Sequence, residues 1–180
     1  MTLTETPAAG MPILPAAGTS PADLTIVVRN HRPAPQGSKR HVGRGRLIEQ
    51  STRVRPWREA VETAVRKAMT IRHAIKHGGV PGGPYDPLDG PLSVEIAFTV
   101  RKPASAPKYR LTWPTTRDSG DLDKLLRSTF DALTTSGAIA DDSRIVEVTA
   151  RKMHPGEGLD ALDEPGAVIR VWRLTEAAAR

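Results

Sequence analysis

The chain contains no cysteine, and this absence removes several classes of protein from consideration. Without thiols there is no disulfide framework, no thiolate zinc site and no cysteine nucleophile. The sequence also lacks any apolar run near the roughly 20 residues that a membrane span requires. Its Pro- and Ala-rich start has neither the basic segment nor the unbroken apolar segment of a signal peptide. These absences predict a soluble protein that is not secreted, and we expect it in the cytoplasm.

Positive charge is in excess over negative charge. Lys and Arg number 26 against 20 Asp and Glu, which gives a formal net charge of +6 at pH 7. Such an excess is compatible with a nucleic-acid partner, with an anionic membrane surface or with solubility alone, so the distribution of the charges matters more than their sum. A length of 180 residues corresponds to about one domain, which can fold around a single core without a metal or a disulfide.

Hydrophobic periodicity divides the chain into a leader, one domain and a short tail. Residues 1–21 are rich in Pro, Ala, Gly and Thr and are predicted to be a disordered leader, residues 22–176 the domain, and residues 177–180 a flexible tail. Alternation and helical spacing predict, in order, strand, helix, strand, helix, strand, strand: Leu24–Arg29, Pro56 to before Gly78, Leu92–Val100, Leu122–Ser136, Ile145–Ala150 and Val168–Trp172. The third of these alternates apolar and polar residues, which predicts one buried face, and Gly137 is expected to end the second helix. This order predicts an α+β fold in which both helices pack against a small mixed sheet.

The stretch PQGSKRHVGRGR, residues 35–46, concentrates positive charge on a glycine-rich loop. Its candidate DNA-binding residues are Lys39, Arg40, Arg44 and Arg46. A loop of this composition can follow a phosphate backbone closely, with strong, salt-sensitive affinity and little sequence preference. The alternative is a solvated loop without a ligand. Further cations that could extend the same surface are Lys102, Lys108, Arg110 and Arg117.

Three aspartates, Asp121, Asp123 and Asp142, fall within a short span of this basic chain. Like charges repel, so grouped carboxylates usually face solvent, cap helices or hold a cation. Asp121 and Asp123 straddle the predicted start of the second helix, where extended backbone lets carboxylates two residues apart share a face. Asp142 follows that helix and can approach its start only if the next strand passes beside it. Spacing alone leaves capping and turn roles open beside a metal site.

Other side chains near this span have predicted roles of their own. Asp131 lies four residues after Arg127 on the polar face of the helix, a spacing that predicts a surface ion pair. Trp57 and Trp172 are predicted core residues. Trp113 lies in a loop and is the aromatic side chain that we expect to contact DNA or a second subunit.

The segment that carries the aspartates resembles a known family. GDLDKLLRSTFDAL, residues 120–133, followed by ADDSRIV, residues 140–146, is similar to the signature of the RusA family of Holliday junction resolvases, found largely in phages and prophages. The leucines, the Asp-Ala-Leu turn of the helix and the Asp-Asp pair fall in the order of that family and at its approximate spacing. The earlier segments PAPQGSKR and RPWREAV resemble its amino-terminal half more loosely.

The resemblance implies a homodimeric, Mg2+-dependent endonuclease, with Mn2+ as a substitute ion, that nicks two strands of a four-way DNA junction symmetrically. It also implies a phage- or prophage-encoded protein in a bacterial host cell. Carried over by position, Asp121, Asp123 and Asp142 would bind the metal and act in catalysis. Lys124 stands where many relatives have Asn and is expected to bind DNA, and Arg127 stands where a catalytic Lys is common. Because arginine is effectively never deprotonated, Arg127 is expected to stabilise charge without transferring a proton.

Two rival functions stay open on the sequence. One is a metal-dependent nuclease that acts on flaps, forks or replication intermediates without strict four-way selectivity. The other is a non-catalytic DNA-binding accessory protein whose aspartates only cap helices and form turns. Nicking of DNA in the presence of a divalent ion separates the enzymes from the binding protein.

Overall fold

A computed structural model describes residues 20–37, 39–41, 47–49, 52–78, 85–107 and 110–174. The predicted tail and the predicted leader up to residue 19 lie outside these residues, as do Arg44, Arg46 and Lys108. The carbonyl of Ser20 accepts a hydrogen bond at 3.0 Å from Trp172 Nε1, so the end of the predicted leader contacts the domain. None of the described helices is long and apolar enough to cross a membrane.

Six of the elements lie where the periodicity of the sequence predicts them. In chain order the elements are β1 Leu24–Val28, β2 Lys39–His41, β3 Leu47–Glu49, α1 Val54–Lys76, β4 Leu92–Thr99, α2 Leu122–Thr135, β5 Ile145–Met153 and β6 Gly166–Arg173, with short 3-10 turns at Arg117–Ser119 and Asp142–Arg144. The hairpin of β2 and β3 was not predicted, because three-residue strands are too short to show an alternating pattern. Lys39 and Arg40, two of the predicted DNA-binding residues, lie in β2.

Local rules explain where α1 begins and where α2 ends. α1 begins at Val54, two residues before the predicted start, so Pro56 lies in its first turn, where a missing N–H leaves no helical hydrogen bond unmade. Gly137 follows the last turn of α2 with a φ of +73°, as predicted. Its N–H donates to the carbonyl of Thr134 at 3.0 Å, and this left-handed turn ends the helix.

The four longer strands form one mixed sheet in the order β1-β6-β4-β5. β4 runs antiparallel to β6 and parallel to β5, while β1 runs antiparallel to β6. Two parallel neighbours need a connection that returns to the same end of the sheet, and α2 provides it between β4 and β5. The predicted mixed sheet with two helices is confirmed, and β1 and β5 are its edges.

Both helices pack on the same face of this sheet. The shared core includes Trp57, Val61, Val65 and Met69 of α1, Leu125 and Leu133 of α2, and Ile26, Val94, Ile96, Phe98 and Ile169 of the sheet. Trp57 Nε1 donates to Thr129 Oγ1 at 3.2 Å, so the polar atom of the buried indole is satisfied. The core positions predicted for Trp57 and Trp172 are confirmed, since both side chains are buried.

The opposite face of β4 is also buried, which corrects the prediction of one buried face. Ala97, Met153, Leu162 and Val168 form a second, smaller apolar cluster there. The N–H of Leu162 donates to Thr99 Oγ1 at 2.9 Å, so the loop between β5 and β6 is held against the sheet. Alternation indicates which side chains share a face, but a covering loop depends on contacts that are distant in sequence.

A network of charges fixes the same loop to three strands. Arg170 of β6 donates two hydrogen bonds to the Asp160 carboxylate, at 2.5 and 2.8 Å. Arg151 of β5 contacts this carboxylate at 3.0 Å and also pairs with Glu95 of β4. The hydrogen bond from Arg170 is the main cause that lowers the pKa of Asp160 below its ordinary value. The charged form of Asp160 therefore stabilises the folded state.

We predict that Asp160→Asn lowers the free energy of unfolding at neutral pH by about 1–3 kcal/mol, because charge-assisted hydrogen bonds are lost. Asparagine tolerates the φ of +65° at this position, so the backbone is not strained by the change. Because the folded-state pKa is lowered, the stabilisation is complete above the unfolded pKa near 3.8 and is lost as the pH falls through the folded value. Urea unfolding of both proteins from neutral to acidic pH measures the difference. Asp163→Asn, an exposed position in the same loop, is the control, and equal losses in the two variants would contradict this role of the network.

Candidate active site

α2 begins after a constrained glycine. Gly120 has a φ of +78°, which residues with a side chain rarely adopt, and a Cβ at this position would lie 3.1 Å from the Pro35 ring. The N–H of Gly120 donates to the carbonyl of Arg117 at 3.1 Å, which closes the short 3-10 turn. The chain therefore turns sharply against Pro35 immediately before the helix.

Lys152, near the end of β5, holds this turn in place. Its Nζ donates to the carbonyl of Gly120 at 2.6 Å and to Ser119 Oγ at 3.1 Å. Ser119 is buried, and its Oγ also lies 2.7 Å from the carbonyls of Pro114 and Thr116. One ammonium group therefore ties the peptide that precedes α2 to the sheet.

Asp121 is the residue immediately before α2 and has extended backbone, with φ −78° and ψ 136°. Its position is that of a helix N-cap, but its side chain makes no capping hydrogen bond. The carboxylate instead accepts a hydrogen bond from Lys124 Nζ at 2.6 Å. This bond and the attraction of Lys124, followed by Lys152 and Arg117, lower the pKa of Asp121, and the same pair raises the pKa of Lys124. Asp121 therefore presents an ionised, exposed carboxylate at the start of the helix.

Asp123 and Arg127 lie one helical turn apart, and both are exposed. Neither has an ion-pair partner among the residues that the structure describes. Asp131, four residues after Arg127, pairs with Arg58 of α1, which corrects the predicted ion pair between Asp131 and Arg127. The reason is tertiary, because α1 packs beside α2 and a side chain of the neighbouring helix reaches Asp131.

Asp142 lies far from the other two aspartates of the same chain. It begins the 3-10 turn that follows α2, three residues before β5 starts, whereas Lys152, which holds the start of α2, lies near the other end of β5. The 14 residues of α2 span about 21 Å, so Asp142 is at the opposite end of this helix from Asp121 and Asp123. Across the described ranges, no three acidic or histidine side chains lie close enough together to hold a metal ion. The three predicted aspartates are not brought together within one chain.

The two members of the Asp-Asp pair have different surroundings. Asp141 accepts a hydrogen bond from the N–H of Ser143 at 2.9 Å, which is the turn role that a short carboxylate commonly takes. Arg144 pairs with Asp89 at 3.0 Å and fixes the turn to the segment before β4. Asp142 is exposed, and although its carbonyl accepts a hydrogen bond from the N–H of Ile145, its side chain has no hydrogen-bond partner within the described part of the chain. Its carboxylate is therefore presented to solvent on a fixed turn.

The segment 31–37 brings the basic stretch next to the start of α2. The N–H of Gln36 donates to the carbonyl of Lys124 at 3.0 Å, and Ser128 Oγ donates to the carbonyl of Ala34 at 2.7 Å. The hairpin of β2 and β3 follows directly in the chain. The predicted DNA-binding stretch therefore begins beside Lys124, near the exposed carboxylates at the start of α2.

Among the other predicted surface cations, Lys102 has a structural role. It pairs with Glu157 and donates to the carbonyl of Arg110 at 3.2 Å, so it is not a free surface charge. Arg110 and Arg117 are exposed and lie on the chain that leads to the start of α2.

Sequence reasoning missed the contact of Lys152 with Ser119 and Gly120. The strand was predicted only as far as Ala150, so Lys152 was not assigned to a face of the sheet. Continued alternation places Lys152 on the face of Val148 and Ala150, which is the face that carries the helices. A lysine directed to a packed face needs polar partners, and this requirement is the signal that could have identified the contact.

We predict that Gly120→Ala destabilises the protein by more than Gly137→Ala does. Both glycines have a positive φ, +78° and +73°, so each substitution carries a backbone penalty of about 1–2 kcal/mol. Only at Gly120 does the new Cβ also meet a neighbouring side chain, the Pro35 ring, whereas at Gly137 nothing lies within 4 Å. Urea unfolding of the two variants measures the excess loss, and equal losses would show that Pro35 moves away without cost.

Comparison with known proteins places this arrangement in a family. The model of the family described as endodeoxyribonuclease RusA matches residues 30–169, from the segment beneath α2 to the middle of β6. No curated protein matches the chain. The match includes the basic stretch, both helices and all the predicted site residues, and it confirms the resemblance that the segment of residues 120–146 carries. The chain therefore belongs to the RusA endodeoxyribonuclease family.

Proposed function

We propose that this protein is a homodimeric, Mg2+-dependent endonuclease that resolves four-way DNA junctions by paired hydrolysis of two phosphodiester bonds. Membership of a nuclease family that acts on Holliday junctions supports the proposal. The observation that carries it further is the pair of exposed carboxylates, Asp121 and Asp123, at the start of α2 beside Lys124 and Arg127. Potential metal ligands and phosphate-binding cations therefore meet at one place on the surface.

The residues at the start of α2 suit Mg2+ in donor type and number. Mg2+ prefers oxygen ligands and takes only one or two carboxylates from a protein, while phosphate oxygens and water complete its shell. Asp121 and Asp123 would hold the ion, with Asp142 supplied by a second subunit, and Mn2+ suits the same oxygen ligands. Bound Mg2+ would lower the pKa of a coordinated water and offset charge on the phosphate.

The exposed edge of the sheet supports a dimer. β5 is an edge strand of nine residues, and its Val146 and Val148 side chains are 61% and 48% exposed. A long edge strand with exposed apolar side chains invites pairing with another strand. Antiparallel pairing of β5 with its copy about a two-fold axis would cover these valines and extend the sheet to eight strands.

The same pairing would complete the acidic site. A two-fold axis between the two β5 strands sets the start of each strand beside the end of the other. Asp142 precedes the start of β5, and Lys152, which holds Gly120 and therefore Asp121, lies near its end. Asp142 of one subunit would thus approach Asp121 and Asp123 of the other. Two such composite sites, one at each end of the paired strands, match a reaction in which two strands are cut symmetrically.

The cations would have separate roles in this proposal. Lys124, paired with Asp121 in the free protein, would turn to a phosphate oxygen when DNA is bound. Arg127, one turn after Asp123, would stabilise the charge of the phosphate as water attacks phosphorus and the P–O bond to the leaving oxygen breaks. The stretch that would follow the DNA backbone contains Lys39, Arg40, Arg44 and Arg46.

The activity is tested by gel-resolved cleavage of a synthetic four-way junction beside a linear duplex and a flap, with Mg2+, with Mn2+ and with chelator. Paired, symmetric nicks on the junction are expected only with a metal ion. Asp123→Asn is expected to abolish nicking and to retain junction binding, because it removes a metal ligand without removing a cation. Asp163→Asn, remote in sequence and exposed, is the control. Normal nicking by Asp123→Asn, or a preference of the wild type for the flap, would contradict the proposal.

The composite site predicts that two inactive variants restore activity to each other. In a mixed dimer of Asp123→Asn and Asp142→Asn subunits, one site carries both changes and the other carries none. Each purified mixed dimer has one intact site of two, so nicking should return to about half of the wild-type rate, without paired cleavage. Co-expression of differently tagged subunits and assay of purified mixed dimers measure this recovery.

A mixed dimer of Asp121→Asn and Asp123→Asn subunits is the matched control. Both changes lie in the same half of the proposed site, so neither site of that dimer is intact. Recovery in the control as well, or no recovery in the first mixture, would contradict a site shared between subunits.

A further inference from the structure

Two large apolar side chains project from the loop between β4 and the 3-10 turn before α2. Leu111 and Trp113 are 74% and 79% exposed, and only one residue separates them. Single exposed apolar residues are ordinary on a protein surface, whereas a leucine and a tryptophan held together in solvent are an unfavourable arrangement in the free protein. Such an arrangement indicates a partner that covers them.

The backbone of this loop is fixed, although these side chains are not covered. Lys102 Nζ donates to the carbonyl of Arg110 at 3.2 Å, and the N–H of Thr112 donates to Glu157 Oε2 at 3.1 Å. Lys102 and Glu157 pair with each other, and Pro114 is buried with its carbonyl 2.7 Å from Ser119 Oγ. Positions 110, 112 and 114 are thus bound to the domain, and positions 111 and 113 between them face outwards. A side chain presented on an anchored backbone loses little conformational entropy when it binds.

The loop that carries the projecting pair contacts the turn that precedes α2. Ser119 connects the two features, because its Oγ lies next to the carbonyl of Pro114 and accepts a hydrogen bond from Lys152, which also donates to the carbonyl of Gly120. Trp113 is bonded to Pro114, and Asp121 follows Gly120. A DNA strand whose phosphate lies at Asp121 would therefore bring its neighbouring bases within reach of Trp113.

We propose that Leu111 and Trp113 form an apolar tip that stacks on unstacked nucleobases at the branch point of the DNA substrate. The inference rests on the proposed function and adds to it the feature by which branched DNA is distinguished from duplex. In a continuous duplex each base face is covered by its neighbours, whereas bases at a branch point can expose a face to an aromatic side chain. Stacking of this kind is tolerant of sequence, because every base has a π-face.

The charges around the tip favour DNA over a second copy of the chain. The loop carries the exposed cations Arg101 and Arg110, and the exposed Arg117 follows in the 3-10 turn. These cations suit a polyanion, whereas the core of a protein interface is depleted of charge. The surface assigned to the dimer is the β5 edge, which carries its own exposed valines.

The experiment compares Trp113→Ala, Trp113→Phe and Leu159→Ala, an exposed apolar residue of another loop that serves as the matched control. Binding to a four-way junction and to a linear duplex is measured in chelator, with 2-aminopurine at the branch point as the stacking probe. Trp113→Ala is expected to lower junction affinity by about 5- to 150-fold and to leave duplex affinity unchanged, because one base stack is lost. Trp113→Phe should retain most of the affinity and the 2-aminopurine quenching, and Leu159→Ala should behave as wild type.

Equal affinity of Trp113→Ala and wild type for the junction, with unchanged 2-aminopurine fluorescence, would overturn the inference. A change of sedimentation in Trp113→Ala would overturn it in favour of a contact between subunits. If the wild type does not cut junctions at all, the proposed function fails. The role of Leu111 and Trp113 is then tested separately, by the binding of wild type and Trp113→Ala to a duplex with a two-base bulge. A loss of bulge binding in Trp113→Ala alone would then support stacking on unpaired bases, and no loss would reject it.

Discussion

The parallel pairing of β4 with β5 is the constraint on which the rest of the molecule depends. Parallel neighbours require a crossover, and α2 is that crossover, so the helix must run the length of the sheet from the end of β4 to the start of β5. Asp121 precedes the helix, Asp123 lies in its first turn, and Asp142 follows the helix. Their separation is therefore a consequence of topology, and the proposed sharing of one acidic site between two subunits follows from it.

Electrostatics explains how a basic protein presents exposed carboxylates without destabilising its fold. Asp121 lies at the positive end of the α2 dipole and accepts a hydrogen bond from Lys124, and both interactions favour its charged form. Lys152 is used differently, since its ammonium holds the turn at Gly120 and thereby fixes where Asp121 stands. On the opposite face of the sheet, Asp160 is surrounded by arginines that fix a loop. Different cations of this basic protein therefore stabilise different parts of its fold. A cation without a described partner, such as Arg127, is available to bind an anion.

Much of the fold could be predicted because it is governed by short-range rules. Helical spacing from Leu122 to Leu133 and the turn at Gly137 define α2, and alternation defines the four longer strands. The family resemblance rested on the same segment, which is continuous in sequence. The hairpin of β2 and β3 was missed because three-residue strands show no alternating pattern. The burial of the second face of β4 was missed and the ion pair predicted for Asp131 was wrong, because both depend on segments that are distant along the chain.

The sequence by itself determined the residue types, the order of the elements and the family, since propensity, periodicity and motif act over a few residues at a time. Only the tertiary structure decided which of these residues meet. It set Lys152 against Gly120, Pro35 against the same glycine, and Gln36 against Lys124, three contacts between residues far apart in the chain. It also placed Asp142 at the far end of α2, because the direction of a strand within a sheet is fixed by pairing and packing over the whole domain.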